Sequence, residues 1–252
     1  MLHRETGIHM ADTKRQLVLG RLTKRLELCG CETFSEYLKR IASGDQGELR
    51  VMVDLLTTNE TSFFREPANF DFLREIIRGR NRPRMTFSAW SAACSSGEEP
   101  YTIAMVLSEA LGNAPWDVLG TDISTRILER AKSGHYAIER ASSIRPELVK
   151  RYCLKGVRSQ EGTFLIAPEL RDHVRFAFHN LMQPVPEHFG MFDVIFLRNT
   201  LIYFDQESKR KVIGNLLPKL RSGGHFIVGH SETLNGITDQ LVARKPSIYL
   251  KP

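Results

Sequence analysis

Cysteine is scarce in this 252-residue sequence, and its four cysteines are not arranged as a metal site. Only Cys29 and Cys31 lie close together, and neither a second pair nor a His-x-x-x-His pattern accompanies them. A single Cys-x-Cys does not supply the four ligands of a structural zinc site. We therefore predict free, buried thiols in a reducing compartment and no metal site.

Long apolar runs are also absent. No run reaches the roughly 18 residues that a membrane-spanning helix needs. The first ten residues, MLHRETGIHM, lack the apolar centre of a secretory signal. We expect a cytoplasmic protein without direct membrane insertion. Lysine and arginine outnumber aspartate and glutamate by 35 to 29, for a formal charge of +6, so nucleic acid, anionic membrane and an acidic protein surface are all conceivable partners.

The first 57 residues carry helical patterns and no strand pattern. Leu19, Leu22 and Leu26 recur at the spacing of one helix face, and TFSEYLKRIAS begins with a capping-box pattern. We predict a small helical domain at 1–57. The polar, proline-containing segment TTNETSFFREPANF interrupts this pattern, so residues 58–70 are predicted to form a linker.

The remaining residues, 71–252, alternate between strand and helix patterns. MTFSAWSA, WDVLGTD, VRFAFHN, FDVIFLRN and HFIVGH are strand candidates, and their alternation with helices is typical of an α/β domain with a mainly parallel sheet. Residues 136–172 do not fit the alternation and indicate an inserted subdomain of short strands. The arginines of RGRNRPR, which begins at Arg78, are predicted to end a helix in solvent, and PSIYLKP is predicted to be an edge strand.

Small side chains connect the first strand of this alternation to its helix. The segment AWSAACSSGEEPY contains one glycine, Gly97, where dinucleotide-binding turns carry three. Glu98 and Glu99 stand at the helix N-terminus, where they would repel a phosphate. Such a turn suits a cationic ligand without phosphates. S-adenosylmethionine, with its ammonium and sulfonium groups, has that chemistry.

The residues directly after each strand are further candidates, because ligands bind beyond the carboxyl ends of parallel strands. Asp122 is predicted to bind the ribose hydroxyls; the alternative is a helix N-cap, a role that Ser124 could take instead. Asn180 could hydrogen-bond an adenine edge while Leu181 packs on the ring. Arg198 follows an apolar strand and needs a partner, which is either the ligand or a structural ion pair.

Four long segments together resemble the chemotaxis receptor methyltransferase (CheR) family. They are TTNETSFFRE, WSAACSSGEEPYTIAM, FDVIFLRNTLIYFD and GHFIVGHSE, and the resemblance runs over about residues 11–250. It implies a Rossmann-like methyltransferase sheet with an all-helical N-terminal domain and an inserted antiparallel β subdomain. It also implies methyl transfer from S-adenosylmethionine to glutamates of chemoreceptors, with S-adenosylhomocysteine as the product.

By family position, the cofactor contacts fall in the linker and at the strand ends. The resemblance favours Glu99 over Glu98. The implied cofactor-binding residues are Asn59, Thr61, Arg65, Glu99, Asp122, Asn180, Leu181, Arg198 and Asn199.

The implied reaction needs no general base, because a glutamate with a pKa near 4.3 is already ionised at neutral pH. Arg65 is the candidate cation beside the substrate carboxylate. Tyr203 is the candidate for orienting that carboxylate through its hydroxyl, with a packed aromatic as the alternative. Lys14, Arg21 and Arg25, predicted to share one helix face, are candidates for docking on the cytoplasmic helical bundle of a chemoreceptor. Nothing in the sequence requires more than a monomer.

Two other functions fit parts of the sequence. A nucleic-acid methyltransferase would explain the positive charge. However, amino-methylating DNA enzymes carry Asp/Asn-Pro-Pro-Tyr/Phe where this chain reads RNTLIYF. A non-catalytic adaptor that binds S-adenosylmethionine would keep the fold, but the intact Asn59, Arg65, Glu99, Asp122 and Tyr203 argue against a decayed site. We therefore expect a protein-glutamate O-methyltransferase that does not act on nucleic acid.

Overall fold

The N-terminal part of the protein is helical. The computed structural model describes residues 1–10, 12–80 and 85–252. A short 3-10 turn, Asp12–Lys14, precedes the second helix. The described helices of this part are α1 (Leu2–Thr6), α2 (Arg15–Leu28), α3 (Phe34–Ala42) and α4 (Gln46–Leu56).

A compact apolar cluster joins α2, α3 and α4. Leu22 and Leu26 of α2 are buried against Tyr37 and Ile41 of α3. The predicted capping box is confirmed: the Thr33 side chain accepts a hydrogen bond from the backbone of the third helical residue, whose own side chain bonds back to Thr33. The predicted apolar face of α2 is confirmed for Leu22 and Leu26, whereas Leu19 is only partly buried.

The second part of the chain is an α/β unit, as the sequence predicted. Its helices are α5 (Ala68–Arg78), α6 (Glu98–Leu111), α7 (Thr125–Ser133), α8 (Pro146–Tyr152), α9 (Pro168–Arg171) and α10 (Gln206–Leu216). Its strands are β1 (Phe87–Ser91), β2 (Trp116–Asp122), β3 (His135–Ala137), β4 (Cys153–Lys155), β5 (Thr163–Ile166), β6 (Val174–Phe178), β7 (Phe192–Leu197), β8 (Leu220–Val228), β9 (Val242–Lys245) and β10 (Ile248–Leu250).

The main sheet of the described chain has seven strands in the order β6-β2-β1-β7-β8-β10-β9. The first five in this order pair in parallel, whereas β10 is antiparallel to both of its neighbours. The sheet is covered on both faces: in β1, Ala89 belongs to one apolar cluster and Trp90 to the other. Burial on both faces explains the apolar run VIFL of β7.

The C-terminal strands differ from the prediction. PSIYLKP contains β10, which inserts between β8 and β9 and is not an edge strand. The edge is β9, which the sequence analysis missed because all four residues of Val242–Lys245 are exposed and show no apolar alternation. The helix before Arg80 ends at Arg78, while Arg82 and Arg84 lie outside the described residues.

The inserted β subdomain is confirmed as a three-stranded antiparallel sheet in the order β3-β5-β4. It packs on the linker through aromatic rings. The ring of Phe63, which is fully buried, lies 5.1 Å from that of Tyr136, edge to face. The linker is therefore fixed between the subdomain and the main sheet.

The cysteines are free, and of the four only Cys94 is buried. The other three are partly exposed, so the prediction of buried thiols holds for Cys94 alone. Within the described ranges, every helix is too short or too polar to cross a lipid bilayer.

A buried glutamate makes the helical domain sensitive to acid. Arg25 donates to both carboxylate oxygens of Glu48, at 2.8 and 2.6 Å, and the Tyr37 hydroxyl donates to one of them at 2.7 Å. The hydrogen bonds from Arg25 lower the pKa of Glu48 from 4.5 to about 2, although burial opposes this change. A lowered folded-state pKa gives stability that is complete above the unfolded-state pKa and is lost as the pH falls towards the folded-state value.

We therefore expect the free energy of unfolding to fall by about 2 kcal/mol more between pH 6 and pH 3 in the wild type than in Glu48→Gln. Urea unfolding at the two pH values measures this difference. Glu27→Gln, which changes an exposed glutamate of α2, is the control and should keep the wild-type pH dependence. Equal pH dependence in the wild type and Glu48→Gln would contradict the lowered pKa of Glu48 in the folded state.

Candidate active site

A crevice lies between the helical domain and the carboxyl ends of the parallel strands. The turns after β1, β2, β6 and β7 form one side, and Lys14, Leu17 and Leu56 of the helical domain contribute to the other. The strand order reverses between β1 and β7, with β2 and β6 on one side and β8 on the other. Ligands of open parallel sheets bind at such a switch point.

The crevice brings together every residue predicted for cofactor binding or catalysis. Of the three predicted docking residues, Lys14 also lines it, while Arg21 and Arg25 lie elsewhere. The predicted residues along its walls are Asn59, Thr61, Arg65, Glu99, Asp122, Asn180, Leu181, Arg198, Asn199 and Tyr203. Direct contact of each with a ligand stays a prediction.

The structure of the turn after β1 shows why residue 97 is a glycine. Gly97 caps α6 with a left-handed backbone, φ +95°. A Cβ atom at Gly97 would lie 2.9 Å from the Cβ of Ala131 and 2.9 Å from the hydroxyl of Tyr136. This glycine is required by the close packing of α6 on neighbouring elements. The small Ala92 and Ala93 line the crevice itself.

The two adjacent glutamates of this turn have different surroundings. Glu98 is fully buried and accepts hydrogen bonds from Ser96 Oγ and Arg140 Nη1, both at 2.6 Å. Burial raises the pKa of Glu98. Glu99 lines the crevice and accepts a hydrogen bond from Ser91 Oγ at 2.7 Å. Only Glu99 can therefore act on a ligand in the crevice.

Arg198 forms the ion pair that was one of its two predicted alternatives. Its side chain is 2% exposed; Nη1 donates to Glu99 at 2.7 Å and Nη2 to Glu66 at 3.1 Å. Nη2 also donates to the carbonyl oxygen of Arg65, and the guanidinium lies over the Phe70 ring. Two carboxylates around one guanidinium give this cluster a net charge of about −1, and of the two only Glu99 lines the crevice.

Glu66 is a residue that the sequence analysis missed. Burial alone would raise the pKa of Glu66, but Arg198 and further hydrogen-bond donors lower it overall. Glu66 also accepts a hydrogen bond from Asn199 Nδ2 at 3.2 Å. Its only signal in the sequence was its place at the end of TTNETSFFRE, since no spacing marks a carboxylate that pairs across the fold.

Asp122 is not the helix cap. Ser124 caps α7, its Oγ accepting from the backbone of Ile127 at 3.3 Å. The Asp122 carboxylate accepts from the backbone N–H groups of Ser95 and Ser124, each at 2.9 Å. Burial raises the pKa of Asp122, while these N–H donors act in the opposite direction. The capping alternative for Asp122 is excluded, and ribose binding stays a prediction.

Asn180 is engaged by the N-terminal segment, which the sequence analysis did not foresee. Its Nδ2 donates to the carbonyl oxygen of Glu5 at 2.7 Å, and its Oδ1 accepts from the backbone of Met182 at 3.0 Å. Each end of the amide makes one hydrogen bond here, which leaves a second N–H hydrogen and a second oxygen lone pair, so the predicted side-chain bond to adenine stays a prediction. Leu181, which is buried, lines the crevice beside it.

The linker residues are fixed by bonds to their neighbours. The Asn59 carbonyl accepts from Ser95 Oγ at 2.9 Å, and the Thr61 carbonyl accepts from Arg140 Nη1 at 2.9 Å. Arg65 is half-buried and donates to the carbonyl oxygen of Glu60 at 3.2 Å. The linker is therefore an ordered wall of the crevice.

Backbone strain is concentrated at this site. Ser95 and Asn199, with φ of +48° and +55°, line the crevice. Phe64 and Glu66, with φ of +51° and +57°, flank Arg65 in the linker. Residues other than glycine adopt such angles at a cost, and strained residues of this kind cluster at functional sites.

The last residue of GHFIVGHSE holds the loop after β7. The Glu232 carboxylate accepts from the backbone N–H groups of Gly229 at 2.7 Å, Asn199 at 2.8 Å and Ile202 at 3.2 Å. This loop carries Tyr203. Nothing in the sequence alone assigns Glu232 this role.

The three predicted docking residues do not form one free helix face, and their docking on a receptor stays a prediction. Lys14 lies in the turn before α2, with Nζ 5.6 Å from the centre of the half-buried Tyr203 ring. Arg21 Nη1 donates to the last carbonyl groups of α4, including that of Leu56 at 3.1 Å. Arg25 pairs with Glu48, as described above. Helical spacing indicates that residues share a face but does not indicate which neighbour packs there.

His179 is a crevice residue that the sequence analysis left without a role. It is 5% exposed, and burial lowers its pKa to about 4, so it is neutral at pH 7. Its Nε2 has no hydrogen-bond partner within the described part of the chain. The ring lies beside Trp90 and Phe189.

The crevice fits a nucleoside cofactor with a positively charged end. The carboxylates of Glu99 and Asp122 lie along its wall, and the small turn residues let a ligand approach the backbone. These two carboxylates suit the ammonium end and the ribose hydroxyls of such a cofactor, and they would repel a phosphate placed beside them. Among the described residues, no group of three or more His, Cys, Asp or Glu side chains could hold a metal ion.

Two protein-family models match the chain. Residues 59–249 match "CheR methyltransferase, SAM binding domain", and residues 1–57 match "CheR methyltransferase, all-alpha domain".

Several curated proteins are similar over nearly the whole chain. The chemotaxis protein methyltransferase of Escherichia coli K12 is 38% identical over 99% of this chain and 87% of its own length. That of Salmonella typhimurium LT2 is 36% identical over 99% of this chain and 86% of its own length. Chemotaxis protein methyltransferase 2 of Pseudomonas aeruginosa PAO1 is 39% identical over 92% of this chain and 83% of its own length.

Proposed function

The chain belongs to the CheR methyltransferase family and is an S-adenosylmethionine-dependent methyltransferase, and we propose that it methylates glutamate side chains of chemoreceptors in chemotactic adaptation. The observation that carries this proposal is that Arg65 and Tyr203 line the same crevice as Glu99 and Asp122. A cation and a hydroxyl that can hold a carboxylate therefore stand beside the proposed cofactor site.

When bound, S-adenosylmethionine supplies a methyl group that a glutamate oxygen accepts by in-line displacement, the electron pair of the broken carbon–sulfur bond remaining on sulfur. The glutamate is ionised at neutral pH, so the chain needs no base. Its residues act by orienting the reacting groups, which can lower the activation barrier by roughly 7–11 kcal/mol. Arg65 is proposed to hold the glutamate carboxylate and keep it ionised, and the Tyr203 hydroxyl to set its direction.

The proposed partner is the cytoplasmic helical bundle of a chemoreceptor. We propose that the protein binds it in the cytoplasm as a monomer. The net charge of +6 favours an acidic partner. Lys14 is the docking residue that we retain, because it stands at the crevice beside Tyr203. Arg21 and Arg25 are not proposed again, since their side chains serve the helical domain.

Asp122 supplies a test at the level of the cofactor. We expect Asp122→Asn to weaken S-adenosylhomocysteine binding at least tenfold, about 1.4 kcal/mol. The substitution removes the carboxylate proposed to bind ribose and sets an amide N–H₂ group against a backbone N–H. Titration calorimetry measures the affinity. Asp117→Asn, near the other end of β2, is the matched control and should bind as the wild type does. Equal affinities of the two variants would contradict the ribose role.

The proposed function is tested by incubating the protein with labelled S-adenosylmethionine and cytoplasmic fragments of chemoreceptors. We expect alkali-labile, volatile label in the fragment, and none when the accepting glutamates are changed to aspartate. Label in duplex DNA instead would favour a nucleic-acid methyltransferase. Cofactor binding by calorimetry without transfer to any fragment would favour an adaptor.

A further inference from the structure

The first ten residues pack on the methyltransferase part of the chain and not on the helical cluster alone. The carbonyl oxygen of Glu5 accepts from Asn180 in the loop after β6. The N–H of His9 donates to the carbonyl oxygen of Tyr203 at 2.8 Å, in the loop after β7. The segment therefore runs from the loop after β6 to the loop after β7, across the mouth of the crevice at the switch point between β1 and β7.

Three residues of this segment, Thr6, Ile8 and Met10, line the crevice itself. Thr6 is 3% exposed, and its hydroxyl is used within the segment, donating to the carbonyl oxygen of Leu2 at 2.8 Å. Ile8 forms an antiparallel bridge with Phe204, another crevice residue. The segment thus completes the wall that the strand-end loops leave open.

Gly7 makes this close approach possible. Its backbone is left-handed, with φ +72°. A Cβ atom there would lie 2.5 Å from Met182 Sδ and 2.9 Å from a ring carbon of Phe204. A larger residue at this position would move the segment away from both loops.

The segment is held weakly enough to open without unfolding the protein. Its helix α1 has five residues, too few to be stable alone. Within residues 1–10 only Thr6 and Gly7 are buried. The ion pair of His3 with Asp205, at 2.8 Å, joins side chains that are 54% and 42% exposed, and exposed pairs contribute little. Segments with few buried contacts open at the low end of the stability range.

We propose that residues 1–10 form a strap that closes the cofactor crevice, and that it opens for S-adenosylmethionine to enter and S-adenosylhomocysteine to leave. This rests on the cofactor site of the proposed function and adds Thr6, Ile8 and Met10 to it. The release of S-adenosylhomocysteine would then depend on residues 1–10, which lie outside the strand-end segments.

A disulfide provides the sharpest test. Ile8 and Phe204 face each other in an antiparallel bridge, a geometry whose Cα separation suits a disulfide. In the double variant Ile8→Cys/Phe204→Cys, we expect release of S-adenosylhomocysteine, followed by stopped-flow competition, to be at least tenfold slower when oxidised than when reduced. Mass spectrometry establishes the bond, and wild-type protein treated identically should show no change.

Opening the strap should have the opposite effect. We expect Gly7→Val to release S-adenosylhomocysteine faster and bind it more weakly than the wild type. Gly30→Val is the matched control, because Gly30 also has a left-handed backbone, φ +67°, but among the described residues a Cβ there would meet nothing within 4 Å.

Equal release rates in the oxidised and reduced double variant, together with wild-type affinity in Gly7→Val, would overturn the strap and leave the proposed function intact. Failure of the wild type to bind S-adenosylhomocysteine at all would overturn both.

Discussion

Arg65→Ala is expected to lower the rate of methyl transfer at saturating S-adenosylmethionine by about a hundredfold, because a reacting group that is held about 1 Å out of place costs that much. Arg65 lines the crevice and is half-buried, and its position is set by the strained backbone of Phe64 and Glu66 on either side. The proposed role is to hold the substrate carboxylate and keep it ionised, which needs a positive, correctly directed side chain. Transfer of label to a chemoreceptor fragment, measured at saturating cofactor, gives the rate.

The role of Arg65 in catalysis is separable from its predicted role in cofactor binding. We expect the affinity for S-adenosylhomocysteine to change much less than the transfer rate. Arg65→Lys keeps the charge but loses the guanidinium fork, so its transfer rate should lie between those of the wild type and Arg65→Ala. Arg78→Ala, at the exposed end of α5, is the control for loss of one arginine. An unchanged rate at saturating cofactor would show that Arg65 is at most a cofactor ligand.

Arg198→Met is expected to lower the free energy of unfolding by about 3–5 kcal/mol, because removing one partner leaves buried charges without compensation. Glu66 and Glu99 both pair with this guanidinium, and their side chains are each 13% exposed. Methionine keeps an unbranched apolar stem but lacks the guanidinium that lies over Phe70 and its charge. Urea unfolding at pH 7 measures the loss.

An exposed ion pair is the control for Arg198. Lys132→Met breaks the pair with Glu129, at 2.7 Å between side chains that are 48% and 71% exposed, and it should cost less than about 1 kcal/mol. Adding Glu66→Gln and Glu99→Gln to Arg198→Met should restore part of the stability, because it removes the uncompensated charges. A loss for Arg198→Met no larger than for Lys132→Met would show that the cluster does not stabilise the fold.

The parallel sheet and its site could be predicted because their signals are local. Strands buried on both faces require apolar runs, and the residues that follow them must meet at one edge of a parallel sheet. Asp122 and Arg198 could thus be placed in one crevice from their positions alone. The single glycine and the acids after β1 likewise pointed to a ligand without phosphates.

Contacts between distant segments could not be predicted. Nothing local distinguishes Glu66 as the partner of Arg198, or Arg25 as the partner of Glu48, because a salt bridge across the fold leaves no spacing in the sequence. The edge strand β9 was missed because its exposed residues need no apolar alternation. PSIYLKP resembled an edge strand because its short apolar pattern does not reveal that β10 has a neighbour on each side.

The sequence by itself determined the helical domain, the α/β order and the set of residues at the strand ends, because periodicity and turn chemistry act over a few residues. Only the tertiary structure decided which charges face the crevice. Glu98, Arg21 and Arg25 bind groups inside the fold, whereas Glu99 lines the crevice. It also decided that residues 1–10 lie across the crevice. That placement depends on a glycine small enough for two remote loops to approach, and such proximity exists only in the folded chain.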